Sequence, residues 1–269
     1  MRDADSPTEK LRSDRQFANN LSRGLEVLRA FTAAEPVLTN RAISDRTGLP
    51  KPTVSRLTYT LSLLGYLRSD ERGAFRLGTA VLSLAHPLLS SLEVRQVARP
   101  VLQALANDTQ CTANLGMLER NEVIYIDTIR TDVGNPYLPD VGRLSPLLHS
   151  TIGRALVLAH KGEDRVRLLN RLKVADPLRH DEGIALLQED ESLMLQEGFC
   201  QSRGSWLPTI DAIAVPLALP KAIGPAAINL TRLNDDCQRP ELAQFAPMIR
   251  AAAGKIASLM QAALSSARG

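Results

Sequence analysis

Residues 37–77 read VLTNRAISDRTGLPKPTVSRLTYTLSLLGYLRSDERGAFRL, and this stretch decides the fold of the N-terminal part. Thr39 is placed to cap a short helix, Asn40 to Thr47. Gly48 is a natural helix stop, and Leu49-Pro50 completes a tight turn. A second helix runs from Lys51 to about Leu64, with Pro52 in its first turn, where a missing N–H costs nothing. Val54, Leu57, Leu61 and Leu64 recur as its expected inner stripe. Lys51, Thr53, Ser55, Arg56, Tyr59 and Ser62 occupy the other face, as side chains able to donate to phosphates or base edges. Gly65 ends the helix. Tyr66–Ser69 and Ala74–Leu77 read as a hairpin around Asp70-Glu71-Arg72-Gly73. Leu67, Phe75 and Leu77 are expected to pack inward, with Arg68, Arg72 and Arg76 free for a DNA backbone. The plain alternative is a helical hairpin with a polar outer face. Short helix, glycine turn, second helix and wing, in that order, predict instead a winged helix-turn-helix, which lays its second helix in the DNA major groove.

Upstream, NNLSRGLEVLRAFTAA at 19–34 places Leu21, Leu25, Leu28 and Phe31 at helical spacing, with Asn and Ser as caps, until Glu35-Pro36 stops the helix. Residues 1–17 alternate in charge and carry no apolar run, which predicts a disordered tail rather than a signal peptide. Residues 1–78 hold 13 Lys and Arg against 9 Asp and Glu, whereas the whole chain is only +3, so the positive balance lies with the DNA-reading segment.

At 269 residues the chain is long enough for two domains. No run approaches the roughly 20 apolar residues that span a bilayer, so no membrane partner is expected. Cys111, Cys200 and Cys237 are scattered, imply neither disulfides nor a metal, and read as small buried apolar residues. A cytoplasmic protein without cofactor is the expectation.

The apolar stretch 79–92, TAVLSLAHPLLSSL, reads as a helix with a kink or break near His86-Pro87. It must pack on a neighbour or a second copy. An amphipathic helix is expected at Glu93 to Asp108, then strands at Thr112–Leu118 and Glu122–Ile129. In the second strand Val123, Tyr125 and Asp127 should face one way and Ile124 and Ile126 the other. Asp132–Gly142 is expected to be a loop. Leu148–His160 opens a helix with Ser150 and Thr151 as its caps, and its N-terminus is a natural seat for a carboxylate. Helices at Glu163–Arg171 and Asp181–Glu197, strands at Phe199–Arg203, Ile210–Leu219 and Pro225–Thr231, and a final helix from Arg239 to about Ala267 complete an α+β chain.

NLSRGLEVLRAF, LTNRAISDRTGLPKPTVSRL and GYLRSDERGAFRLG, followed by LLHSTIGRALVLAH, EGFCQSRGSWLPTIDAIAVPL and AAINL, resemble the IclR-type bacterial transcriptional regulators from about Leu21 to Leu264. The resemblance implies a winged helix-turn-helix domain at 18–78, a linker helix at 79–92 and a GAF-like antiparallel-sheet effector-binding domain at 93–267. It implies double-stranded operator DNA and a small organic or aromatic acid as ligands, and self-association as a homodimer or homotetramer. Operator contacts then fall on Thr53, Ser55 and Arg56, supported by Arg41, Lys51, Tyr59 and Arg76. The effector pocket falls on Ser150, Thr151, Ile152, Ile210, Ala212, Asn229 and Thr231. Many relatives carry an acidic residue where Ser205 stands, and continue into Ser-Gly-Pro where this chain has Asn-Leu-Thr-Arg.

A ligand-responsive regulator of a catabolic operon is therefore the leading expectation. An architectural DNA-binding protein leaves the large C-terminal domain without a task. An enzyme lacks support, because there is no nucleophile elbow, phosphate-binding loop, metal cluster or dinucleotide fingerprint.

Overall fold

The computed structural model describes residues 14–130, 140–234 and 241–266. The chain forms two compact units, Met1–Ser91 and Leu92–Gly269.

In the first unit, α1 (Asn19–Arg29), α2 (Asn40–Thr47) and α3 (Lys51–Leu63) surround a small core of Val27, Phe31, Leu38, Ile43, Leu49, Val54 and Leu67. Helix α1 ends five residues before Ala34 and has no side-chain cap. Beyond it Thr32 accepts the Glu35 N–H through both its carbonyl and its hydroxyl, closing a turn in place of helix. Helix α2 is capped by Thr39, whose hydroxyl accepts from the Ala42 N–H at 3.2 Å. It stops at Gly48, which has φ +69. In the turn, Ser44 Oγ donates to the Leu49 carbonyl, and Leu49 is buried.

Strands β1 (Leu38–Thr39), β2 (Leu67–Ser69) and β3 (Ala74–Leu77) make an antiparallel sheet in the order β1-β3-β2. The two-residue β1 carries no alternation for a sequence pattern to register. Gly78 closes this sheet against α3: a Cβ there would meet the Gly65 carbonyl oxygen at 2.1 Å. The expected inner stripe is corrected in part. Leu21, Leu25, Leu64 and Leu77 are 65, 47, 60 and 42% exposed, while Thr58 on α3 is buried. Thr58 is satisfied by donating to Asn40 Oδ1 and to its own helix, so a polar residue takes an inner position outside the expected apolar stripe.

Helix α4 (Ala80–Ser91) runs through Pro87 as one element. No break occurs at His86-Pro87, and α5 (Glu93–Thr109) follows Leu92. Proline removes one i→i−4 bond, which this helix sustains.

The second unit is built on a six-stranded antiparallel sheet in the order β6-β5-β4-β9-β8-β7. Its strands are β4 (Thr112–Glu119), β5 (Glu122–Ile129), β6 (Leu144–Pro146), β7 (Cys200–Arg203), β8 (Ile210–Pro216) and β9 (Ala226–Leu233). The short edge strand β6 was not legible in the sequence. One sheet face packs Leu115, Ile213, Ile228 and Leu230 against α5 and the C-terminal helix α9 (Ala246–Ser266). The other packs Val123, Tyr125, Ala214 and Ala227 against α6 (Thr151–Ala159), flanked by α7 (Gly162–Ala175) and α8 (Pro177–Gln196). Alternation along β8 and β9 thus sends every second residue to each layer.

The strand β5 breaks that alternation. Leu115 pairs with Asp127 and Gly116 with Tyr125, leaving Ile126 as an extra residue. The bulge corrects the expected facing. Asp127 leaves the side of Val123 and Tyr125 and meets α5, where Arg99 binds its carboxylate at 2.6 Å and Arg95 lies at 3.7 Å.

Helix ends also move. Helix α8 starts four residues earlier than expected, because Asp176 caps it and Pro177 fits its first turn. Helix α9 starts at Ala246 after a 3₁₀ turn, Leu242–Phe245. The expected start at Arg239, most of the expected loop at Asp132–Gly142, the tail before residue 14, and Cys237 lie outside the described residues. Cys111 and Cys200 are buried, and burial pushes the Cys200 thiol well above its ordinary range.

Candidate nucleic-acid interface and candidate ligand pocket

Helix α3 owes its outward side to its sequence: Lys51, Ser55, Arg56 and Tyr59 are all exposed, Tyr59 by 67%. Lys51, Ser55 and Tyr59 stand four residues apart and form one ridge, with Arg56 beside it. Arg56 and Lys51 have no ion pair among the described residues, so both charges are available to a polyanion. Thr53 is half-buried at the edge of this face. On α2, Arg41 is exposed and lies 3.9 Å from Asp45, too loose a pair to hold it. Asn40 fixes the crossing of the two helices: its side chain accepts from Thr58 Oγ1 at 3.0 Å and donates to Ser55 Oγ at 3.4 Å. On the wing, Arg76 is exposed and pairs in register with Arg68. Pro50 offers the N-terminus of α3 no side-chain cap, leaving backbone N–H groups at the end of the reading helix.

The second group of residues converges on one cavity in the second unit. Ser150 and Thr151 come from the start of α6, Tyr125 from β5, Ser202 from β7, Ile210 and Ala212 from β8, and Asn229 and Thr231 from β9. Trp206 and Leu207 complete the lining from the β7–β8 loop. The register explains the convergence, because Ala212 pairs with Thr231 and Ala214 with Asn229 on the α6 side of the sheet. Small residues let α6 approach closely. A Cβ on Gly116 would meet Ile152 at 2.9 Å, and one on Gly153 would meet the Leu147 carbonyl oxygen at 2.3 Å.

Two expectations are corrected here. Ile152 does not line the cavity; it is fully buried with Val123, Tyr125 and Leu156 in the core. One helical step carries it from the pocket side of α6 to the sheet. Ser150 alone caps α6, its hydroxyl accepting from the Gly153 N–H at 3.2 Å. Thr151 is the first helical residue, so its hydroxyl is not occupied by capping.

The cavity is uncharged, a mainly apolar lining interrupted by hydroxyls and one amide: none of its lining residues is ionised at neutral pH. Asn114, missed by motif reading because it lies in an apolar-looking strand, donates to Asn229 Oδ1 at 2.9 Å and Thr231 Oγ1 at 3.3 Å. This fully buried amide holds the two β9 side chains in place. Burial pushes the Tyr125 hydroxyl up to about 12, against the opposing effect of hydrogen bonds with Ser145 and Asn229, so it stays protonated. Trp206 stacks under the Arg143 guanidinium, 5.6 Å from its ring centre. The cavity volume is only ≈ 30 Å³, room for about one or two water molecules.

Residues 20–71 match the model of the IclR helix-turn-helix domain, and residues 86–258 that of the bacterial transcriptional regulator IclR C-terminal domain. The Pca regulon regulatory protein of Pseudomonas putida is 30% identical over 258 residues, covering 92% of this chain and 87% of that protein. The HTH-type transcriptional regulator TsaQ1/TsaQ2 of Comamonas testosteroni is 32% identical over 175 residues, with 62% of this chain and 61% of that protein aligned. Among solved structures, an IclR family transcriptional regulator from Brucella abortus superposes with a TM-score of 0.79 at 34% identity, covering 92% of this chain and 94% of that one. An IclR homolog from Microbacterium hydrocarbonoxydans, complexed with 4-hydroxybenzoate, shares the fold: TM-score 0.69, 22% identity, 90% and 99% covered. Within the described residues no helix is long and apolar enough to cross a membrane.

Proposed function

We infer that this chain, which belongs to the IclR family of transcriptional regulators, is a cytoplasmic ligand-responsive regulator of a catabolic operon. In this reading a small organic or aromatic acid enters the Thr151 cavity and changes operator affinity. The observation that carries the reading is the convergence of four strands and the start of α6 on one uncharged cavity, whose mainly apolar lining carries hydroxyls and an amide. The first turn of α6 offers N–H groups and the Thr151 hydroxyl to a carboxylate, and Asn229 and Thr231 offer partners to a second polar end. The Pca regulon name of one relative and the 4-hydroxybenzoate of one fold neighbour support an aromatic acid as the class to test.

In this reading Arg56 and Ser55 read base edges, while Lys51, Thr53, Tyr59, Arg41 and Arg76 supply phosphate and flanking contacts. Helix α4 joins reader and sensor. It has no buried residue, and Leu82, Leu84 and Leu88 are 69, 60 and 58% exposed. A second copy covering this face would make a dimer able to engage two half-sites about 34 Å apart. The effect of ligand is then a coupling free energy between pocket and paired heads, typically ~1–3 kcal/mol.

A cavity of ≈ 30 Å³ does not admit an aromatic acid, so binding requires the Trp206–Leu207 segment to move outward. A thermal-shift and tryptophan-fluorescence titration with 4-hydroxybenzoate and related acids tests this. A raised melting temperature with a changed Trp206 emission supports the reading. Melting and emission indifferent to every acid in the series would refute ligand control.

A further inference from the structure

A second cavity of ≈ 310 Å³ lies in the same unit. Leu148 and His149 line it, while the next two residues, Ser150 and Thr151, line the Thr151 cavity. The two spaces therefore share one short stretch of backbone. Arg154 holds that stretch by donating to the Leu148 and His149 carbonyls at 3.3 and 3.0 Å. Ser150 ties it to strand β6 by donating to the Pro146 carbonyl at 2.7 Å.

The volume falls at the lower end of the roughly 300–1,000 Å³ of small-molecule sites. Leu147, Leu148 and Leu172 make the inner walls, each at least nine-tenths buried. The charged lining groups, Glu122, Asp176 and Arg179, are all exposed, so solvent screens them. A charged group brought against the leucine walls would lose its hydration with no buried counter-charge in the lining to replace it. The remaining polar groups are the His149 and His180 rings and the Asn121 amide. Burial, reinforced by Arg179, holds His149 below its ordinary value, so its ring is neutral at pH 7 and able to exchange hydrogen bonds in either sense. His149 Nε2 has no hydrogen-bond partner among the described residues; the Glu182 carboxylate lies 3.6 Å away.

We propose that this cavity is a second ligand site, binding a small uncharged molecule with one hydroxyl on an apolar body, a phenol or an alcohol. Its occupant and that of the Thr151 cavity would both touch the Leu148–Thr151 stretch. The site stands independently of whether the first cavity takes an acid.

The test uses the full-length protein with methyl-labelled Leu and Ile, titrated with 4-fluorophenol and, separately, with benzoate and benzylamine. The expected result is saturable 4-fluorophenol binding, read by fluorine resonance, with shifts at the Leu148 and Leu172 methyls and none at Leu207 or Ile210. Ala175→Phe, an exposed position at the cavity wall, should weaken it about tenfold or more. Benzoate and benzylamine should bind this site about tenfold more weakly than the phenol. No saturable binding, shifts confined to Leu207 and Ile210, or charged probes binding as tightly would each overturn the proposal. Should Ala175→Phe fail to fold, the methyl map on the unaltered protein decides alone.

Discussion

Arg154 and Asp190 form an ion pair sealed in the second unit, Nε to Oδ2 at 2.5 Å with side chains 1 and 4% exposed. The pair reaches further than itself. Arg154 also donates to the carbonyls of Leu148, His149 and Gln201, and Asp190 accepts from the Gln201 N–H at 2.8 Å. It thus ties α6, α8, β7 and the Leu148–Thr151 stretch into one polar knot. Removing one partner leaves the other charge buried and unpaired. Asp190→Ala is expected to cost ~3–5 kcal/mol, measured as the shift of the urea midpoint. A loss below about 1 kcal/mol, the scale of an exposed pair, would contradict the knot.

His149 gives the stability a pH signature. Its ordinary value is 6.5, and burial lowers it in the folded state. Protonation therefore favours the unfolded chain. The neutral ring contributes fully above pH 6.5, and that contribution drains away as pH falls through 6.5 towards the folded value. The melting-temperature advantage of the native protein over His149→Gln should shrink between pH 7.5 and 5.5, pH values set about the ordinary histidine value. An advantage that grows on acidification would reverse the sign.

Arg56→Ala should weaken specific operator binding in a gel-shift titration by ~1–3 kcal/mol if its guanidinium reads a guanine. Its helix is held by Val54 and by the Thr58–Asn40 bond, so the melting curve should not move. Arg41→Ala, a looser flanking charge, should weaken all sequences alike and flatten the salt dependence. Undiminished binding by Arg56→Ala would remove α3 as the reader.

Much of this was legible in the sequence because it was punctuated. Thr39, Gly48, Pro52 and Gly65 mark the ends of α2 and α3 by chemistry that acts within a turn. The pocket strands β8 and β9 were legible as segments bounded by Gly- and Pro-bearing turns. What escaped depends on partners distant in the chain. Ile126 bulges only because β4 and β5 pair with unequal counts, and no local pattern encodes that. Thr58 occupies a core position only because Asn40 satisfies it. Asn114 joins the pocket network through β9, 115 residues away. Ile152 was misplaced because a resemblance carries a segment, whereas pocket and core are separated by one step of α6. The Arg154–Asp190 pair, 36 residues apart in sequence, left no motif to notice.

Thr151→Val keeps the volume and the helix, since Ser150 holds the cap. It removes a hydroxyl from the cavity wall, and should reduce acid affinity by ~1 kcal/mol while leaving operator affinity without ligand unchanged. Calorimetry with the responsive acid checks the first part and anisotropy with labelled operator the second. Equal acid affinity in both proteins would place the ligand elsewhere.

The most direct measurement of the whole account is the affinity of the full-length protein for operator DNA, by fluorescence anisotropy, with and without a saturating aromatic acid such as 4-hydroxybenzoate. The account predicts a change of about fivefold or more in dissociation constant, the lower end of allosteric coupling. It also predicts that Thr151→Val shifts this response to higher acid concentration. An acid that binds at the Thr151 cavity and leaves the operator affinity unchanged would contradict it.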